Sequence, residues 1–249
     1  VGSEMCIRDR STLFSSREIK KLADKDISVS DKNAAFLVEY LQDLEDLNHN
    51  IIPEAQSVSH LGWTSNGMFS PYMENLEFDG QENFRKIFES VHSCGEFEKW
   101  LEITKSVRKT DSAARIALAA SFASIIIKTI GKLNFMLHFW GGSGTGKTVA
   151  QLLAVSVWGD PNDGAGYLQT FNGTLVGLEQ LAGFVNNLPL ILDEFQLVKD
   201  KKSFEQTVYM LCEGIGKTRG AKTGGLQKTP TWKNCTITSG ESPLSLIHI

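Results

Sequence analysis

The downstream half of the chain alternates between two hydrophobic periods. Four short runs, LNFMLHFW (133–140), YLQTF (167–171), LPLIL (188–192) and NCTITSG (234–240), read as strands. Between them VAQLLAVSVW (149–158), the stretch from Thr174 to about Val185, and SFEQTVYMLCEGIG (203–216) carry helical spacing. LPLIL is apolar almost without interruption, as a strand covered on both faces by helices must be. Gly159-Asp160-Pro161 stops the first of these helices. Strands alternating with helices predict an α/β fold, a parallel sheet with flanking helices.

The upstream half is more varied. LVEYLQDLEDL (37–47) has helical spacing, with Leu37, Tyr40, Leu41, Leu44 and Leu47 on one side. In HLGWTSNGMFSPY (60–72) Asn66-Gly67 between aromatic-bearing runs signals a hairpin. Its Trp63, Phe69 and Tyr72 could stack on bases, but packing as a small core is the favoured reading. Residues 78–109 read as two helices broken near Cys94-Gly95. Asp111 can cap the next helix, which runs to about Ile130 and ends at Gly131. That helix holds the most apolar stretch, RIALAASFASIIIK (115–128). A membrane span needs about 20 apolar residues, so a buried helix is expected and no membrane partner.

The two ends change the domain picture. Met5–Asp9 and Leu244–Ile249 back-translate to strings that are nearly reverse complements, resembling a transposase mosaic end flanking an insert. Residues 1–10 and 244–249 are therefore expected to be adapter-derived scars, outside the fold. Between them the expectation is an N-terminal α+β accessory region over 11–110 and a core over 111–243, an internal piece of a longer protein. The apolar fraction of 41% suits a soluble globular chain, and the net charge of −4 does not advertise nucleic acid. Cys94, Cys212 and Cys235 are far apart and form no C-x-x-C pair. Reduced, cytoplasmic thiols fit better than a zinc site or a disulfide framework.

The chemistry concentrates after the first core strand. Gly141, Gly142, Ser143, Gly144, Thr145, Gly146, Lys147 and Thr148 spell G-x-x-x-x-G-K-T between a strand and a helix. Such a loop turns its N–H groups inward around a polyphosphate, and the helix that follows points its positive end at it. Lys147 would reach the β- and γ-phosphates, and Thr148 would offer its hydroxyl to Mg²⁺. ATP and Mg²⁺ are the ligands expected. Asp193 and Glu194 close the apolar strand LPLILDEF, which in a P-loop fold lies beside the phosphate loop. Asp193 would hold Mg²⁺ through its water shell. Glu194 would orient and deprotonate the attacking water, which favours hydrolysis over transfer. The fourth strand ends in Thr238, Ser239 and Glu241, and Ser239 is the candidate sensor of the γ-phosphate.

One stretch departs from the acidic background. Residues 214–240 hold Lys217, Arg219, Lys222, Lys228 and Lys233 and no acid, and their glycines predict a mobile loop. Such a loop could follow a phosphate backbone. Equally, Arg219 or Lys217 could reach a neighbouring subunit's γ-phosphate, or the charges could be plain solvated surface.

HFWGGSGTGKTVAQLLAVSVWGDP, TFNGTLVGLEQLA, NNLPLILDEFQ, EGIGKTRGAKTGG and TWKNCTITSGE together resemble the family of domain of unknown function 927, found in phage and mobile elements beside primase modules. The resemblance covers most of residues 55–243. It implies a P-loop NTPase of RecA/AAA+-like type, similar to superfamily-three or primase-associated helicases. Those form homo-oligomeric rings around DNA, with a basic hairpin ahead of the sensor strand. Lys217, Arg219, Lys222 and Lys228 occupy that interval. The sensor strand ends Thr-Ser-Gly-Glu, where an Asn is usual in superfamily three.

Overall fold

The computed structural model describes residues 15–51, 55–162, 164–194, 201–221 and 225–244. The residues expected to be scars therefore lie outside it, Leu244 excepted. The chain divides into two compact units, one formed by Val1–Val58 with Glu74–Asp79, the other by Ser59–Met73 with Gly80–Ile249. Residues 59–73 and 80–110, assigned by sequence to the accessory region, lie in the unit that holds the sheet.

In the first unit a 3-10 helix, Ile19–Lys25, precedes helix α1, Ala34–Asn48. Strand β1, Gln56–Val58, pairs in parallel with β4, Leu76–Phe78. The core gathers Ile19, Ala34 and Val38, with Leu22, Val29, Leu37 and Leu41 against it. The buried stripe of α1 is therefore 34, 37, 38 and 41. The stripe expected from sequence is rotated from this one: Leu37 and Leu41 belong to it, while Tyr40 and Leu47 are exposed. The small Ala34 sets the contact face, because it lets Ile19 approach where a leucine would not.

In the second unit β2, Gly62–Trp63, and β3, Phe69–Ser70, pair antiparallel around Asn66-Gly67. Of the hairpin aromatics, Trp63 and Phe69 are half-buried and pack on their neighbours, while Tyr72 is about half exposed. Phe69 lies edge-on to Trp63 at 5.0 Å and 6.0 Å from Trp158, and Trp63 Nε1 donates to Ile125 O at 2.9 Å. Helices α2, Arg85–Ser90, and α3, Phe97–Thr110, follow with the expected break between them. Helix α4, Ser112–Ile126, is capped by Asp111, whose carboxylate accepts from Ala114 N at 2.8 Å. It is buried on one face only. Ala114, Ala117, Leu118, Ser121 and Ser124 face inward while Ile116, Phe122 and Ile126 are about half exposed. Small inward residues let neighbouring backbones come close. Ser124 Oγ donates to Asn187 O and accepts from Cys235 N, each at 2.9 Å.

The sheet holds β5, Phe135–Trp140, β6, Gln169–Thr170, β7, Leu190–Asp193, and β8, Cys235–Gly240. Their order is β5-β8-β7-β6, and every pairing is parallel. Strand β8 is buried throughout, as its two-sided coverage requires. Helices α5, Lys147–Val155, α6, Leu175–Val185, and α7, Lys201–Glu213, complete the alternation. Thr174 caps α6 through Gly177 N at 3.1 Å. Among the described residues no helix is long and apolar enough to cross a membrane.

Candidate active site

Parallel strands bring their carboxyl ends to one edge of the sheet, and the candidate residues collect there. The glycine-rich loop leaves β5 and enters α5 through Gly146, whose φ of 85° is open to glycine at little cost. Gly141 N donates to Gly240 O at 3.2 Å, so the β5–β8 ladder continues into the loop. Thr145 Oγ1 donates to Gly142 O at 2.9 Å. Lys147 arches back over the loop, its Nζ 2.8 Å from Gly141 O and 2.7 Å from Gly142 O. An incoming phosphate would compete for those same ammonium protons.

Asp193 is the hub. Thr148 donates to its Oδ2 at 3.1 Å, and Ser239 donates to its Oδ1. The Glu194 N–H also reaches Oδ1, at 2.9 Å. Sequence placed the Asp193 strand beside the phosphate loop. Strand β8 in fact runs between β5 and β7, and Asp193 spans the gap by its side chain. The interposed strand is what supplies Ser239. Glu194 itself is exposed and left-handed, with φ 58°. A non-glycine residue held there is mildly strained, a feature that clusters at functional sites. The donor set fits a magnesium–polyphosphate ligand: one hydroxyl and one carboxylate oxygen pointing together, beside a lysine and a helix N-terminus.

Two polar groups that the sequence did not flag, one buried and one half-buried, hold this edge together. Gln151 in α5 is fully buried and donates to Leu192 O at 3.0 Å, fixing the loop's helix to the Asp193 strand. His138 in β5 lies 2.8 Å from Thr238 Oγ1 through Nδ1 and 3.0 Å from Ser242 O through Nε2. Burial holds its pKa below the usual histidine value, against a smaller upward effect of the Ser242 carbonyl. The signal available in the sequence was a lone polar residue inside each apolar run.

The arms of the basic segment pair as a hairpin, the form that the family resemblance implies. Gly216 N donates to Pro230 O at 2.8 Å, Gln227 N to Arg219 O at 2.8 Å, and Trp232 N to Gly214 O at 3.0 Å. Trp232, 1% exposed, anchors its base and donates to Leu211 O at 3.1 Å. Lys217 and Lys228 are exposed and Lys233 is half-buried, while Lys222 lies outside the described residues. Arg219 is paired with Glu179 of α6.

The fold is thus a mixed α/β architecture with a parallel sheet, flanking helices and a polar cluster at the sheet's carboxyl edge. The chain matches the family described as Domain of unknown function (DUF927) over residues 6–232, and it belongs to that family. Its fold is similar to that of a solved structure named "SCCmec type IV Cch - active helicase", with a TM-score of 0.61 at 19% identity. The likeness covers 95% of this chain and 45% of that one, so the chain spans less than half the length of that protein. No curated protein matches the chain in sequence.

Proposed function

We propose that the chain carries the P-loop ATPase core of a DNA motor, a primase-associated replicative helicase of a phage or mobile element. The observation that carries this reading is the convergence of Thr148 and Ser239 on Asp193, next to a glycine loop that ends in Lys147. Lys147 and the loop amides of Gly141, Gly142, Ser143, Gly144, Thr145 and Gly146 take the phosphates of ATP. Thr148 and Asp193 would hold Mg²⁺, which supplies charge neutralisation at the β- and γ-phosphates. Glu194 accepts the proton of the attacking water, and its exposed carboxylate at the strand end leaves it free to do so. Ser239 orients Asp193 and reports on the γ-phosphate.

The helicase half of the reading is supported by the fold shared with a protein named an active helicase and by the basic hairpin. Lys217 and Lys228 on that hairpin would meet the phosphates of single-stranded DNA without reading bases. A homo-oligomeric ring would bring several hairpins to one strand.

The experiment is ATP turnover by the chain with and without single-stranded DNA, repeated in Lys147→Ala. Stimulation by DNA that disappears in the variant supports the motor. Turnover indifferent to DNA would instead assign the site to a nucleotide-gated switch. Turnover unchanged in Lys147→Ala would overturn the P-loop reading.

A further inference from the structure

Glu179 is an anomaly. It stands in the apolar helix α6, LVGLEQLAGFV, and is 0% exposed. A carboxylate with no exposure needs full compensation. It receives a two-pronged one: Arg219 Nη1 lies 2.6 Å from Oε1 and Nη2 lies 2.7 Å from Oε2. The Lys217 amide adds a third donor. Arg219 is still about one-third exposed, so the pair sits at the lip of the hairpin–helix contact.

Two glycines show how closely hairpin and helix are fitted. A Cβ on Gly216 would stand 2.3 Å from Glu179 Oε1. A Cβ on Gly183 would stand 2.9 Å from Pro230 Cβ. Glu179 and Gly183 are four residues apart and so share one helix face. Gly216 and Pro230 are hydrogen-bonded to each other across the two arms of the hairpin. Both arms therefore rest on the same stripe of α6, and the ion pair is their polar lock. The other end of α6 is tied to the site: the helix starts at Leu175, two residues after Gly173, and Phe171 N donates to Asp193 O at 2.9 Å. A short path of covalent and hydrogen bonds thus runs from Asp193 through Phe171 and the first turns of α6 to Glu179, and from there to the hairpin.

We infer that Glu179 and Arg219 form the joint that seats the basic hairpin on α6 and ties its position to the state of the Asp193 site. Arg219 is a positioning residue: its guanidinium serves Glu179, and the exposed lysines do the contacting. This inference rests on the proposed nucleotide site for the second half of its claim, and the test separates the two.

The test is amide hydrogen exchange on the full chain, with and without ATPγS and Mg²⁺, alongside direct binding of a fluorescent ATP analogue. The variants are Glu179→Gln, Arg219→Gln, the double variant and Gly183→Ala. In the wild type, nucleotide should change exchange at Gly216, Gln227 and Trp232 by about threefold or more, a shift of the size local opening equilibria give. Glu179→Gln should bind the analogue like the wild type and lose that response. Arg219→Gln and the double variant should lose it to the same extent, because all three break one contact. Gly183→Ala adds a methyl under Pro230 without touching the charges or weakening helix propensity, and should lower the response too. A full response in Glu179→Gln, or an additive loss in the double variant, overturns the joint. So does a wild-type hairpin that ignores bound nucleotide. Failure of the analogue to bind the wild type sinks the nucleotide site instead. The seat is then judged without nucleotide, and equal hairpin protection in Glu179→Gln and wild type removes it.

Discussion

Thr148 Oγ1 and Asp193 Oδ2 lie 3.1 Å apart, which joins the first turn of α5 to the end of β7 across an intervening strand. The contact places a hydroxyl and a carboxylate oxygen side by side at the mouth of a helix. Their shared target on the proposed reading is one metal ion, and the mutations below separate that role from support of the fold.

Lys147→Ala should leave the fold intact, because the side chain is half exposed and bonds only carbonyls of its own loop. Unfolding free energy should move by no more than about 0.5 kcal/mol. ATP turnover should fall by a factor on the order of 10²–10³, the range seen when one stabilising donor is removed. Urea titration and a phosphate-release assay on the same preparation check both halves.

Glu194→Gln should separate binding from chemistry. The amide keeps the size of the carboxylate and loses its basicity, so nucleotide affinity stays within about twofold while turnover drops by about 10²–10⁴. Equal losses in affinity and turnover would mark Glu194 as structural.

Ser239→Ala should weaken the metal before it weakens the nucleotide. Asp193 would keep the Thr148 and Glu194 contacts and lose the hydroxyl that holds Oδ1 from β8. Losing a group that orients a metal ligand typically lowers metal affinity about 10–100-fold. The readout is the Mg²⁺ concentration for half-maximal turnover, which should rise while saturating turnover changes less.

Ser124→Ala tests the scaffold under the site. The hydroxyl is fully buried and serves both Asn187 O and Cys235 N. Removing it strands the first amide of β8, which should lower stability by about 1–3 kcal/mol. Chemical denaturation measures the difference.

Stability should also depend on pH through His138. Its folded pKa lies below the usual 6.5, chiefly because burial disfavours the charged ring. The unfolded chain then binds more protons in the window below about 6.5, so stability is full above that pH and declines as pH falls through the folded value. Glu179 acts lower down. Its pKa is depressed by the hydrogen bond from Arg219, so its contribution is present above 4.5 and is lost as pH falls further. Denaturation midpoints from pH 8 to pH 5 should slope in the wild type and flatten in His138→Gln.

The sequence carried the site because loop chemistry is local: glycine spacing, a lysine and a threonine are read directly from GGSGTGKT. The Asp111 cap was legible for the same reason, and the helix expected from Thr174 starts there, with Thr174 as its cap. Packing choices were less visible. The buried stripe of α1 is set by Ala34 and Val38 meeting Ile19, whereas periodicity alone pointed to the leucines further along. The hairpin at 214–232 was implied only by the family resemblance, because its glycines look like slack, although two glycines at this contact are places where one backbone passes close to another group. Glu179 was missed because a lone acid in a helix reads as surface until its partner, forty residues away, is known.

The bond from Gly141 N to Gly240 O sets the thermodynamic footing of the loop. Its first peptide group belongs to the hydrogen-bonded ladder of the sheet, so the turn above it is ordered when the sheet folds. On the proposed reading, a polyphosphate arriving there would meet a turn whose entropy loss was charged to folding, and more of its contact energy would remain as affinity.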